Sequence, residues 1–194
     1  MGFAFAGKDD APLREGDVFI ADAGMKENAG RGSVWRFRFD SDAPAERLGT
    51  DTPLLTAPAG LAIAHGSIFI LNRNAGYRPT ATIMPDDTAR RLIRWDGTEF
   101  RACTLSAPIR APSGIAADPA GRGLFVAEGL DFTAGTTWQR VLLLHPGAGD
   151  AFTVEIIADR FGKLAATGLA LSADGRRMLI DDMGHGVVFV LRRK

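Results

Sequence analysis

The stretch APSGIAADPAGRGLFVAEG, residues 111–129, decides how this chain is read. It opens with a Gly-apolar-Ala segment, Gly114-Ile115-Ala116-Ala117, and passes through a glycine-containing turn, DPAGRG at 118–123. A second apolar segment, Leu124-Phe125-Val126, follows and ends on an acid, Glu128. Glycine supplies the positive φ that tight turns demand, so the local reading is two short strands joined by a turn.

The same stretch recurs. Gly2-Phe3-Ala4-Phe5, Gly60-Leu61-Ala62-Ile63 and Gly168-Leu169-Ala170-Leu171 repeat the opening, with the glycines 58, 54 and 54 residues apart in chain order. Each opening is followed by a second apolar run: Val18-Phe19-Ile20, Ile68-Phe69-Ile70 and Met178-Leu179-Ile180 match Leu124-Phe125-Val126. A loop of variable length then leads to a third run: SVWRFRF at 33–39, RRLIRW at 90–95, WQRVLLL at 138–144 and GVVFVLRR at 186–193. A fourth run appears as AERLGT, TEFRACTL and AFTVEIIA, with no counterpart after Lys194.

Four short strands per unit, at a period of about 40 to 60 residues and without helical periodicity, are the signature of β-propeller blades. The expected fold is therefore all-β, a β-propeller of about four blades at 2–50, 51–105, 106–159 and 160–194, the last lacking its outer strand. Gly and Ala in the first strand of each unit fit inner strands crowding around a channel. A β-sandwich would not need identical four-strand units at constant register.

Composition removes several function classes. Lysine plus arginine and aspartate plus glutamate number 23 each, giving zero formal net charge, and no basic run offers a footprint for nucleic acid or anionic lipid. No apolar stretch reaches the roughly 20 residues of a membrane-spanning helix, so neither nucleic acid nor membrane is an expected partner. The single cysteine, Cys103, forms no disulfide within the chain and no Cys-based zinc site. The N-terminus lacks the n-region and h-region of a signal peptide, and a soluble chain of either cytoplasmic or periplasmic and secreted location fits. No Gly-x-Ser-x-Gly elbow, phosphate-cradling loop or His-Glu-x-x-His segment occurs.

The pattern Pro-x-Gly-(Leu/Ile)-Ala, turn, (Ile/Leu)-Phe-(Ile/Val), then an acid or amide resembles the NHL and gluconolactonase-like (senescence marker protein) superfamily of six-bladed bacterial propellers. The resemblance covers essentially the whole chain. It implies an open arc of a six-bladed propeller, completed by missing blades of a parent chain or by self-association through open edges; a self-contained four-bladed ring is the alternative, four blades being the lower limit of the propeller range. It also implies a small-molecule or carbohydrate ligand, and a lactone or ester hydrolase assisted by calcium. A non-enzymatic NHL-type binding scaffold and a quinone-cofactor sugar dehydrogenase are the alternatives. Such blades serve several chemistries, so the fold alone does not choose among them.

Site residues are expected on the face that carries the long loops between second and third strands, at 21–32, 72–89 and 127–137. The second strands end on Asp22, Asn72, Glu128 and Asp182, four oxygen-bearing side chains suited to calcium, which takes six to eight oxygen ligands. The competing structural reading makes each side chain bond the backbone two residues on and start its loop. Gluconolactonase-like enzymes place Asn or Asp ligands immediately before the inner-strand glycine, where this chain has Ala59, Ser113 and Thr167, so that ligand set does not transfer. His185 follows Asp182 by three residues, a spacing that lets the carboxylate orient an imidazole for general base work, and this pair is the catalytic candidate. The segment 72–89 carries Arg73, Tyr77 and Arg78, candidates for holding a sugar-like or anionic ligand through guanidinium forks. His65 and His145 are expected to be exposed bystanders.

Overall fold

The computed structural model describes residues 2–8, 10, 12–23, 32–49, 52–72, 91–131, 136–159, 166–182 and 185–192. These residues contain β-strands and no helix. The first sheet runs β1 (Gly2–Phe5), β2 (Asp17–Asp22), β3 (Ser33–Arg38), β4 (Glu46–Leu48), each strand antiparallel to the one before. The second has β5 (Pro58–Ala64), β6 (Ser67–Asn72), β7 (Leu92–Trp95) and β8 (Phe100–Ala102) in the same order. After the two-residue strand β9 (Thr104–Leu105) comes the third blade: β10 (Pro112–Ala117), β11 (Leu124–Asp131), β12 (Thr136–Pro146) and β13 (Ala151–Asp159). The fourth has β14 (Ala166–Leu171), β15 (Arg177–Asp182) and β16 (Val187–Arg192). This is the expected four-blade propeller arrangement, with a three-stranded last blade.

Period-two alternation explains how the blades stack, because each strand sends successive side chains to opposite faces. In blade one, Ala4, Phe19, Ala21 and Val34 lie on one face and meet Leu61, Ile70, Ile93 and Trp95 of blade two in a common core. Blade two turns Ala62, Phe69, Leu71 and Leu92 the other way, onto Ile115, Val126, Leu142 and Leu144 of blade three. Phe125, Ala127, Val141 and Leu143 then pack on Leu169, Met178, Ile180 and Phe189 of blade four. The Phe19, Phe69 and Phe125 positions are register equivalents, so the sequence repeat is a repeat of this interface.

Two of the opening glycines, Gly2 and Gly114, are set by close approach of the backbone of the neighbouring inner strand. A Cβ on Gly2 would stand 2.8 Å from the carbonyl oxygen of Ala59 and 2.9 Å from Cα of Gly60, and one on Gly114 would stand 2.7 Å from the amide nitrogen of Leu169. Side chains other than hydrogen do not fit at such distances. The hairpin turn between β5 and β6 is His65-Gly66, with φ of 49° and 67°, the two positive values that a primed hairpin turn requires.

Two sequence expectations are corrected here. TEFRACTL is not one outer strand: Phe100–Ala102 pairs with β7, whereas Thr104–Leu105 crosses to blade three and runs parallel to β13. The break falls at Cys103, whose amide still bonds the carbonyl of Leu92 while its side chain is buried between the two blades. A strand segment can satisfy its amides on either neighbour, and the Thr104 amide finds the carbonyl of Asp150 at 2.9 Å. The second correction concerns 127–137, expected as a loop. Most of it is strand, because β11 and β12 extend as a long hairpin through a register shift between Glu128 and Leu130.

Candidate functional site

The connections from second to third strand leave from one rim of the sheets, where β2, β6 and β15 end on Asp22, Asn72 and Asp182. Glu128 holds the equivalent register position but lies inside β11. Opposite Asn72, Glu128 and Asp182 the inner strand is bulged in all three blades: register passes from Pro58 to Gly60, from Pro112 to Gly114 and from Ala166 to Gly168. The extra residues are Ala59, Ser113 and Thr167. A bulge bends its strand and re-aims side chains, which is why bulges gather near sites. Ser113 is buried and its hydroxyl donates to the carbonyl of Ala127 at 2.9 Å.

Two members of the acid and amide column reach back along the chain. Asn72 Nδ2 donates to the carbonyl of Leu54 at 2.6 Å, eighteen residues earlier. Glu128 Oε1 accepts from the amide of Arg110, also eighteen residues earlier. Both side chains therefore fasten the segment entering their own inner strand. Glu128 is fully buried, and its second oxygen accepts from Nε of Arg140 at 2.6 Å within an ion pair. Arg140 sits directly across from Glu128 in the β11–β12 register. Sequence reasoning missed it, although a buried carboxylate calls for a cationic partner on the next strand.

Asp182 and His185 are brought together as the spacing suggested. Asp182 Oδ2 lies 2.6 Å from Nδ1 of His185, with the carboxylate side chain 1% and the imidazole 54% exposed. The turn that presents the ring is closed by the Gly186 amide on the carbonyl of Asp182, 2.9 Å, and Gly186 has φ of 64°. With Nδ1–H donating to Asp182, Nε2 carries the lone pair. Such a ring can take a proton at the rim while its other nitrogen is held. Asp22 is half-buried at the end of β2, opposite the buried Ser33.

Arg73, Tyr77 and Arg78 lie outside the described residues. His65 occupies the hairpin turn at the opposite end of its blade, and His145 pairs with Glu155 at 2.7 Å on the surface of blade three. Cys103 is buried, and burial pushes its thiol up to about 12, with the charge of Asp150 adding to the shift. Among the described residues, no group of three or more His, Cys, Asp or Glu side chains is placed to share one metal ion. Asn72 and Glu128 turn their side chains to Leu54, Arg110 and Arg140.

No family model matches the sequence. None of the curated proteins matches it either. Solved structures do. A gluconolactonase from Xanthomonas campestris superposes with a TM-score of 0.62 at 18% identity, covering 91% of this chain and 55% of that one. A protein from Bacteroides uniformis assigned as a 6-phosphogluconolactonase gives 0.59 at 15% identity, covering 100% and 53%. The hydrazine synthase of Kuenenia stuttgartiensis gives 0.58 at 12% identity, covering 91% and 49%. The chain thus spans about half the length of each of these three structures. At these identities the likeness speaks for the fold, and the chain has the β-propeller fold that gluconolactonase-like proteins share.

Proposed function

We propose that this chain is part of a propeller that binds a small polar lactone or ester at the long-loop rim and hydrolyses it. The observation that carries the reading is the His185–Asp182 pair, an exposed imidazole oriented by a buried carboxylate on that rim. The propeller fold shared with a gluconolactonase supports it. In the proposed reaction Nε2 of His185 takes a proton from water as the water oxygen adds to the substrate carbonyl carbon. The tetrahedral adduct then breaks its ring or ester C–O bond, and the leaving oxygen takes the proton back from the imidazolium. The products are a hydroxy acid from a lactone, or an acid and an alcohol from an ester. Asp182 keeps the tautomer and offsets the imidazolium charge without itself accepting the proton. Arg73, Tyr77 and Arg78 are proposed to hold the polar groups of the substrate. No step passes through a metal.

A pH-stat assay on aldonolactones and simple esters tests the reading. His185→Ala should lower turnover by about 10²- to 10⁴-fold, the usual contribution of a positioned acid–base group. Asp182→Asn should also lower it. Wild-type rates equal to buffer would remove the hydrolase reading. The binding scaffold would then stand, favoured by Asn72 and Glu128 serving as fasteners of their blades. Dye reduction with pyrroloquinoline quinone and aldoses would instead support the dehydrogenase alternative.

A further inference from the structure

The connection from second to third strand is built differently in blade three. β11 has 8 residues and β12 has 11, whereas β2, β6 and β15 have 6 each. The ladder continues past the Glu128–Arg140 rung to Leu130–Thr137 and Asp131–Thr136. At about 3.4 Å per residue, the added rungs raise the hairpin by up to about 10 Å over the level at which the other second strands end. Its base is held in place. Glu128 pairs with Arg140 and accepts from the Arg110 amide, and the Gly129 amide donates to the carbonyl of Ala111 at 3.0 Å. Between Glu128 and Leu130 the register shifts, the kind of bulge that bends a strand pair beside a site.

The raised hairpin stands next to Asp182 and His185. Blades three and four share one core, which includes Ala127 and Val141 from blade three and Ile180 and Phe189 from blade four. Ala127 and Val141 form the rung just below Glu128 and Arg140, and Ile180 and Phe189 form a rung two residues from Asp182 and Val187. The rim ends of the two blades are therefore level, in keeping with the close approach of Gly114 to Gly168 and Leu169 on the inner strands. Side chains alternate along β15, so Asp182 presents its carboxylate on the same face as Met178 and Ile180, the face packed on blade three. His185, held by that carboxylate, is accordingly turned toward the blade that carries the hairpin.

We infer that the β11–β12 extension is a fixed wall on the blade-three side of His185 and that it limits the size of the substrate. The assignment rests on the reading of His185 as the base of the proposed hydrolysis. A carbonyl attacked by water at Nε2 sits beside the imidazole, with the wall on one flank. A single lactone ring, whose bonds are each about 1.5 Å long, is lower than the wall and fits beside it. A bulky group directed toward blade three meets paired backbone that the ties of Glu128 and Gly129 keep from yielding. The substrate class is a small-ring lactone or an ester with a short acyl group, and the wall excludes an aryl or long alkyl group on that side.

Chemical labelling of His185 tests the wall without requiring turnover. The Nε2 lone pair attacks a pyrocarbonate carbonyl carbon and forms an N–C bond as the carbonate half leaves and loses carbon dioxide. Diethyl and dibenzyl pyrocarbonate carry out this step with a small and a bulky group, and mass spectrometry reads the rate at each histidine. His145 is the reference, because its side chain is 40% exposed against 54% for His185 and it lies near the opposite end of β12. The ratio of ethyl to benzyl rates should be about 10-fold higher at His185 than at His145, the scale of one clash against packed backbone. Replacing residues 130–137 by Asn-Gly, which favours a two-residue hairpin turn, should bring the His185 ratio down to that of His145. Equal ratios in the wild type would overturn the proposal, as would a high ratio at His185 that survives the shortening. If circular dichroism shows that the shortened chain has lost its β signal, the milder replacement of residues 131–136 by Asn-Gly takes its place, with the same outcomes. In the pH-stat assay, shortening should raise kcat/KM for a benzyl-substituted lactone relative to the unsubstituted one, and no rise would overturn the size limit. The hydrolase reading fails separately, through a wild type that hydrolyses neither lactone nor ester faster than buffer.

Discussion

Glu128 and Arg140 face each other across β11 and β12 as a buried carboxylate and its guanidinium, and the carboxylate also holds the amide of Arg110. One side chain thereby joins the second strand, the third strand and the segment entering the first. Removing one partner of a buried pair leaves an uncompensated charge, at a cost of about 3–5 kcal/mol. Glu128→Ala should therefore lower the unfolding free energy by that order in urea titration. Paired replacement of both residues by apolar ones should cost markedly less, since no charge is then left without a partner.

The inner-strand glycines make a second prediction. Gly114→Ala would put a methyl group 2.7 Å from the Leu169 amide nitrogen and 2.9 Å from the Gly168 carbonyl carbon, both backbone atoms. Blades three and four would have to part, and overpacking of this kind costs about 1–3 kcal/mol. Gly147→Ala is the control, because its nearest foreign atom stands at 3.3 Å and its backbone is not in the left-handed region. The loss should be clearly larger for Gly114 in thermal melts.

Cys103 should resist alkylation in the folded protein. Its thiol is buried and pushed up to about 12, so the reactive thiolate is scarce at pH 8. Iodoacetamide labelling followed by mass spectrometry should show modification only after denaturant is added. Rapid labelling of the native chain would mean that the joint between blades two and three opens.

Asp96 gives a pH dependence with a defined sign. The Thr98 hydroxyl, donating at 2.6 Å, and the amides of Glu99 and Thr98 hold its carboxyl well below the usual carboxylate range in the β7–β8 turn. A folded-state value below the unfolded one, about 3.9, adds stability that is complete above that pH and fades as pH falls through the folded value. Asp96→Ala should thus be less stable than wild type at pH 6, with the gap closing in acid. An unchanged gap at pH 2 would show that packing, not ionisation, sets the difference.

Calcium is tested by thermal shift. With the Glu128 and Asn72 side chains engaged as described, 5 mM calcium or a chelator should leave Tm unchanged. A rise with calcium that disappears in Asp182→Ala would instead identify the column of Asp22, Asn72, Glu128 and Asp182 as ligands.

The sequence by itself determined the blade plan. Strand alternation with a glycine at each inner-strand opening leaves few folds that can bury both faces of four like sheets, and Gly2, Gly60, Gly114 and Gly168 marked the strands correctly. It also placed Asp182 beside His185, because residues three apart across a tight turn meet whatever surrounds them. Only the tertiary structure decided what lies between sheets and between distant segments. The switch of Thr104–Leu105 to blade three depends on which neighbour offers a free edge. The pairing of Glu128 with Arg140 depends on how far a hairpin extends, and the reach of Asn72 to Leu54 depends on where the incoming chain passes. Local residue pattern does not fix these three, since each depends on hydrogen-bonding groups that meet only once the strands and blades have packed.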